Sequence, residues 1–298
     1  MSTAAGAEHA ERFTHLRPLL FTIAYEILGS ATESDDVLQE SYLRWAEVDL
    51  DAVSDTKAYL ARLVTRQALN SLRSQSRRRE DYVGPWLPEP LLTAPDPSAD
   101  VVLAESVSMA MLVVLETLSP DERAVFVLRE VFGFGHDEIA AALDKSAASV
   151  RQLAHRARAH VQARRRRFEP VDAKLSTEIT TKFFAAAATG DLDGLMAMLA
   201  PDVVWTADSD GKVSAARRPV AGADRVARLI LGFVRLGGVD GRVEPAVYNS
   251  APALVLYLGE HLEGVVTFEV ADGRITNFYA MRNPEKLAGV LVPRQISR

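Results

Sequence analysis

Residues 136–158 read HDEIAAALDKSAASVRQLAHRAR, two short helical patterns that break at Asp144-Lys145-Ser146 and close on basic residues. Apolar positions recur three and four apart, so Ile139, Ala140 and Leu143 would line the inner side of a first helix and Val150, Leu153 and Ala157 that of a second. Ser146 is placed to cap the second helix. Ser149, Arg151, Gln152, His155, Arg156 and Arg158 then face outward, side chains able to bond base edges and phosphates in a major groove. A helix-turn-helix is the expected local fold, although Asp144 or Lys145 stands where a turn glycine is more usual. The competing reading is a helical hairpin with a solvated basic face.

A formal net charge of −6 argues against nucleic-acid binding on average, but steering depends on local fields. Residues 1–61 hold 11 acidic and 4 basic side chains, whereas 62–79 hold 6 Arg and no acid. Residues 80–130 return to 10 acids against 2 bases, and 151–167 carry 7 Arg and no acid. Two basic patches alternate with two acidic ones. The chain has 298 residues, 48% of them hydrophobic, enough for two or three folded domains. With no cysteine, disulfides, thiolate metal sites and cysteine nucleophiles are excluded. The N-terminal stretch lacks the pattern of a secretory signal and no apolar run is long enough to span a membrane, so a cytoplasmic protein is expected.

Working outward, residues 13–79 show helical periodicity throughout. Phe21, Tyr25 and Leu28 mark one face, with Gly29 as its punctuation. A second helix starting near Ser34 buries Val37, Leu38, Tyr42 and Trp45, and a third runs from Thr56 to about Arg78. On that third helix Arg62, Arg66, Asn70, Arg73 and Arg77 line one face, with Tyr59, Leu63 and Leu72 facing inward. No glutamate sits at i±4 to these arginines, so the stripe repels itself unless phosphates neutralise it. A solvated surface is the plainer alternative.

Prolines at 85, 88, 90, 95 and 97 forbid a continuous helix and predict an extended linker. Helical periodicity resumes at 101, with a capping box at Ser119 and Glu122. After Pro170 the pattern turns to helices at 174–189, 191–199 and 222–235, mixed with alternating runs VVWTAD, EPAVYN, ALVLYLG, GVVTFEV and RITNFYA. This predicts an α+β domain with an antiparallel sheet.

The order of an acidic helix (ESDDVLQESYLRWAE), an Arg-striped helix ending in RRR, a linker, and LSPDERAVFVLREVFGF before the helix-turn-helix resembles extracytoplasmic-function (ECF) RNA polymerase sigma factors. The resemblance implies that Asp35, Asp36, Gln39 and Glu40 bind the clamp helices of the polymerase β′ subunit, and that 48–55 captures a flipped base of the −10 element. It implies that Arg62, Arg66, Asn70, Arg73 and Arg77 hold the separated strand, while Ser149, Arg151, Gln152, His155, Arg156 and Arg158 read the −35 element.

The part beyond 168 resembles a SnoaL-like, NTF2-like cone. WLPEP (86–90), DSDGK (208–212) and NPEKL (283–287) are similar to motifs of the sigma-J-like subgroup. DSDGK departs from the subgroup pattern at Ser209 and Asp210. The placement of these motifs implies a regulatory contact in which Asp208, Gly211, Lys212, Asn283, Pro284, Glu285, Lys286 and Leu287 of the cone meet Trp86, Leu87 and Pro88 of the linker. Trp205, Asp208, Tyr248, Tyr257, His261, Asn277 and Tyr279 could place polar groups in a pocket of the cone, but no acid and base sit at a convincing catalytic spacing.

The expected architecture is therefore two all-α sigma domains followed by an α+β NTF2-like cone with a curved antiparallel sheet. Region 2 is assigned to 1–82, the linker to 83–105, region 4 to 106–168 and the cone to 174–298. The expected partners are core RNA polymerase and promoter DNA. No catalytic residue, cofactor, metal or membrane contact is expected, and the sequence identifies neither a ligand of the cone nor an anti-sigma partner. The alternatives are a SnoaL-like cyclase or isomerase fused to a DNA-binding module, and a plain helix-turn-helix repressor.

Overall fold

The computed structural model describes residues 3–93, 101–164, 173–238 and 240–298. The chain divides into two compact units: 1–80, 111–165 and 294–298 form the first, and 81–110 with 166–293 the second. The expected linker is thus no free connector, since residues 81–110 belong to the unit that contains the cone.

The first unit opens with three packed helices, α1 (Thr3–Leu28), α2 (Ala31–Trp45) and α3 (Thr56–Glu80). Gly29 takes φ 71°, which lets the chain turn, and Ser30 then caps α2 by accepting from Glu33 N. The helices meet through Leu20, Ile23, Ile27, Leu38, Leu60 and Val64, none with any exposed surface. Trp45 is equally buried and donates its indole N–H to the His9 carbonyl at 2.9 Å. Leu72 faces inward as expected, but Tyr59 and Leu63 are only half-buried; the inner face of α3 is Leu60, Ala61, Val64 and Ala68.

In the same unit follow α6 (Pro120–Phe126), a π-helical turn at Val127–Val131, α7 (His136–Leu143) and α8 (Ala147–Arg164). The Ser119–Glu122 capping box starts α6. The turn between α7 and α8 is made by Asp144 in the left-handed region (φ 55°, ψ 49°). Ser146 then caps α8 by accepting from Ser149 N at 3.1 Å. Ile139, Ala140, Val150, Leu153 and Ala157 are buried, and Leu143 is half-buried. Arg123 of α6 is also buried, with Nε donating to the Glu26 carbonyl of α1 at 2.8 Å and Nη1 paired with Glu116 at 2.6 Å.

The second unit begins with residues 81–93 and the short helices α4 (Val101–Ser106) and α5 (Met109–Leu115), the latter crossing into the first unit at 111. Helices α9 (Ala173–Thr189), α10 (Leu192–Met198) and α11 (Ala223–Gly237) cover a sheet of β1 (Leu199–Asp208), β2 (Val220–Ala221), β3 (Gly241–Tyr248), β4 (Ala251–Leu258), β5 (His261–Ala271) and β6 (Arg274–Met281). The strand order is β2-β1-β6-β5-β4-β3. β1 and β6 run parallel, so the sheet is mixed rather than purely antiparallel. The ladder is interrupted by register shifts at Leu199/Val204, Leu256/Tyr257 and Glu269/Val270, irregularities of the kind that add twist and bend to a sheet.

One face of the sheet contributes Trp205, Leu254, Val266, Phe268 and Phe278 to a core shared with Phe183, Val226 and Ile230 of the helices. The alternate residues Ala253, Val255, Val265, Thr267 and Met281 are buried as well, so both faces are covered. The linker strand contributes to this closure, with Leu92 bridging Tyr248 at the end of β3 and Leu87 and Leu91 buried. A final turn of helix, α12 (Pro284–Leu287), follows β6 and is capped by Asn283.

A non-glycine residue in the left-handed region carries strain that glycine lacks. Asp144→Gly should therefore stabilise the first unit by about 0.5–1 kcal/mol, and Asp144→Ala should destabilise it. Thermal unfolding of both variants beside the parent tests this; a lower midpoint for the glycine variant would contradict the turn geometry.

Candidate nucleic-acid interface

The outward face of α8 is built as the sequence predicts. Arg151, Gln152, His155, Arg156 and Arg158 are exposed and Ser149 is half-buried. Arg156 pairs with Glu122 at 3.0 Å and Arg158 with Glu130 at 2.6 Å, which raises the Arg158 pKa further. Arg151 and Gln152, about one turn in from the Ser146 cap, are the exposed residues of this face nearest the helix start, after the half-buried Ser149.

On α2 the side chains of Asp36, Gln39 and Glu40 are exposed, with Glu40 held by Arg44 at 2.7 Å, while Asp35 is half-buried. The stretch 48–55 contains a short 3₁₀ turn at Leu50–Ala52, and Asp55 accepts from Ala58 N to open α3. Residues Val53, Asp55, Tyr59, Arg62 and Thr65 share a cavity of about 350 Å³ with Leu128, Phe134 and Ile139.

The α3 stripe has partners that the sequence does not announce. Arg66 reaches across to α7, its Nε donating to the Ala142 carbonyl and its Nη2 to the Ala141 carbonyl, both at 2.8 Å. These carbonyls belong to the last turn of α7, where helix oxygens lack intrahelical donors and a cation is favoured. Arg73 pairs with Asp121 of α6 at 2.7 Å, and Lys145 takes the other oxygen at 2.9 Å. Burial works to raise the Asp121 pKa, but the two cations outweigh it and hold the carboxyl below its ordinary value. Arg62 lies over the Tyr59 ring with its guanidinium 5.2 Å from the centroid, and Asn70 is exposed. The Arg77 side chain and residues 165–172 lie outside the described residues.

The three short motifs meet within the second unit around one carboxylate. Asp208, with no exposed surface, accepts from the Tyr82 hydroxyl, from Leu87 N at 2.8 Å and from Lys286 Nζ at 2.7 Å. Lys286 also donates to the Leu87 carbonyl at 2.7 Å and lies 3.2 Å from the Trp86 ring centroid. Asn283 donates to the Tyr82 oxygen at 2.8 Å. Burial, and then the hydrogen bond to Asp208, push the Tyr82 pKa far above its ordinary value.

Asp210, at φ 49°, accepts from Val83 N at 3.2 Å, and Gly211 at φ 66° follows it. Lys212 bridges Asp210 at 2.9 Å and Glu285 at 2.8 Å. The lysine that bonds the linker directly is therefore Lys286, whereas Lys212 acts through Asp210. Pro284 and Leu287 belong to α12, and Leu287 is buried; Pro88 lies in the buried stretch of the linker.

Sequence reasoning missed Tyr82 and Asn249. Asn249, buried at φ 52°, accepts from Leu91 N at 2.9 Å and donates to the Val107 carbonyl at 2.8 Å. Its only sequence signal is an asparagine in a hairpin turn, which reads as turn chemistry. Of the polar residues expected to line a pocket, Asn277 and Tyr279 are brought together on Glu269, and the other five are scattered. Trp205 lies in the core, Tyr248 donates to the Val290 carbonyl with its pKa pushed up to about 12 by burial, and Tyr257 stacks under Arg242. His261 is exposed, while Asn277 and Tyr279 both bond Glu269.

Residues 12–78 match Sigma-70 region 2, 108–161 match Sigma-70 region 4, and 180–278 match a SnoaL-like domain. The chain is 38% identical over 295 residues to the ECF RNA polymerase sigma factor SigJ of Mycobacterium tuberculosis, covering 93% of this chain and 92% of that protein. It is 30% identical over 276 residues to the probable ECF sigma factor SigI of the same species, covering 91% and 92%. The crystal structure of M. tuberculosis SigJ superposes with a TM-score of 0.75 at 34% identity, covering 95% of this chain and 99% of that one. With both sigma regions in order and the resemblance sustained across the cone, the chain belongs to the ECF RNA polymerase sigma factors.

Proposed function

We propose that this sigma factor docks core polymerase on the β′ clamp helices through Asp35, Asp36, Gln39 and Glu40, holds the melted −10 strand along the α3 stripe, and reads the −35 element with α8. The cone acts as a regulator by holding the linker. The work is done in the cytoplasm, where polymerase and promoter are, and the cone performs no catalysis of its own.

The observation that carries the regulatory part is the buried ion pair of Lys286 and Asp208, both bonded to the Leu87 backbone. Fully extended, the thirty residues 81–110 would span about 100 Å. Held on the cone along 82–93, the linker loses part of that reach. Regions 2 and 4 must separate to contact two promoter elements, so a held linker sets which separations are open to them. The contacts of Arg66 and Arg73 to α7 and α6 describe a free state in which part of the stripe is occupied by region 4. Promoter phosphates would replace those partners. The scatter of polar groups in the cone supports a regulator over a cyclase or isomerase, which would need them convergent.

Run-off transcription with purified core polymerase lacking other sigma factors, on promoters selected from genomic DNA, should give start-site-specific transcripts; none from folded protein would overturn the reading. Arg151→Ala or Gln152→Ala should cost about 1–3 kcal/mol of binding and relax specificity at one −35 position. Equal losses on matched and scrambled −35 elements would reduce these residues to phosphate contacts.

Lys286→Met leaves the Asp208 charge buried without its cation, a change that costs about 3–5 kcal/mol when the pair is fully desolvated. Hydrogen exchange across 82–92 should accelerate, and promoter-dependent output should change. Parent-like exchange and output together would remove the linker clamp from the mechanism.

A further inference from the structure

The last five residues, Arg294–Arg298, belong to the helical unit, although the chain up to Pro293 belongs to the other. Arg294 Nη2 donates to Asp35 Oδ2 at 2.7 Å. Arg17 holds the second oxygen of the same carboxylate at 3.0 Å, so both oxygens of Asp35 are taken. Further along, Ser297 N donates to Thr22 Oγ1 at 3.1 Å. Thr22 is fully buried in α1, and its hydroxyl donates in turn to the Pro18 carbonyl at 2.7 Å. The Arg298 guanidinium reaches the Val131 carbonyl of the π-turn at 3.5 Å. Three residues of this stretch thus bond α1, α2 and the turn before α7.

Asp35 stands beside Asp36, Gln39 and Glu40, which remain exposed on the same helix. We propose that Arg294–Arg298 is a strap that competes with core polymerase for the acidic face of α2. This rests on the reading that α2 is the polymerase-docking helix. A basic partner surface and a basic strap seek the same carboxylate, and a partner cation brought up to Asp35 is repelled by the two guanidinium groups already bonded to it.

The strap is also built to let go. Arg294 keeps about a quarter of its side chain in solvent, and its Nε is buried with no hydrogen-bond partner, so the guanidinium is incompletely satisfied. Partly exposed ion pairs of this kind shift equilibria by a few-fold, which suits a gate. Tethering keeps so weak a contact populated in the free chain, because the strap's local concentration is far above that of any competitor in solution.

The test is the affinity of the otherwise intact chain for core polymerase, with the chain ended at Pro293 and, separately, with Arg294→Gln. Both should bind about two- to tenfold more tightly than the parent, since removing the strap raises the fraction of chain that is competent to dock. The free peptide Arg-Gln-Ile-Ser-Arg at millimolar concentration should weaken binding of the truncated chain. Unchanged or weaker affinity in both variants overturns the strap. Asp36→Ala and Glu40→Ala, which the strap does not touch, should weaken docking in parent and truncated chains alike. If they do so while truncation changes nothing, the strap alone is wrong; if they have no effect, the docking reading itself falls.

Discussion

A carboxylate with no path to water, Asp208, is the constraint from which the second unit follows. An ionised group in that position costs several kcal/mol unless it is paired and fully hydrogen-bonded. β1 alone cannot supply the partners. They come from two distant segments, Tyr82 and Leu87 of the linker and Lys286 after β6. The lysine has the same problem in reverse and settles it with Asp208, the Leu87 carbonyl and the Trp86 ring. No two of the three segments can be in place while the third is absent without orphaning a buried polar group. The linker is therefore folded as part of the cone.

Asn249 anchors the other end of the same linker stretch. It bonds Leu91 N through its side chain and Val107 O through its amide, and its own N–H donates to the Leu91 carbonyl at 2.8 Å. Thr93 N reaches the Val247 carbonyl at 3.2 Å. β3 is the edge of the sheet, and an uncovered edge is a template for unwanted pairing. The linker covers its last residues while being held by them, so one set of backbone bonds serves both purposes.

Much of this was legible in the sequence, and the boundary of legibility is physical. The helices α2, α3, α7 and α8 and the strands β3 to β6 announce themselves because each carries its own period, 3.6 or 2, in a contiguous window. The Ser119 and Ser146 caps are equally local. The parallel pairing of β1 with β6 is not, because it joins segments some seventy residues apart through a crossover that no local pattern encodes. The two lysines of the motifs show the same limit. Lys212 and Lys286 look alike in sequence, yet the turn of α12 puts Lys286 against Asp208 while Lys212 stays at the rim with Asp210 and Glu285. Tyr82 carried no signal, since an aromatic at the border between the third helix and the prolines reads only as the end of region 2. The departure of DSDGK from the subgroup pattern is readable afterwards: Asp210 takes the positive φ that glycine would take, and its side chain adds a bond to Val83 N.

Within the first unit, the basic side chains proposed to hold DNA already have partners. Arg66 would otherwise face its neighbours on a stripe without counter-charges, and it instead neutralises the carbonyl end of α7. Arg73 finds Asp121, and Arg156 and Arg158 find Glu122 and Glu130. Each of these partners is weaker than the promoter can offer. Carbonyl oxygens carry partial charge where a phosphate carries a full one, and exposed carboxylate pairs contribute about 0.2–1 kcal/mol. Duplex DNA adds the release of condensed counterions. On the proposed reading, in which these side chains hold DNA, the internal contacts are a modest, repeated tax on that binding rather than a block. A single phosphate contact made by chance does not repay the loss of the internal set, whereas a docked polymerase presenting both promoter elements recovers many contacts at once. If α3 and α8 hold DNA as proposed, that difference would favour the holoenzyme on a promoter over the lone factor on arbitrary DNA, without requiring any of their residues to distinguish the two.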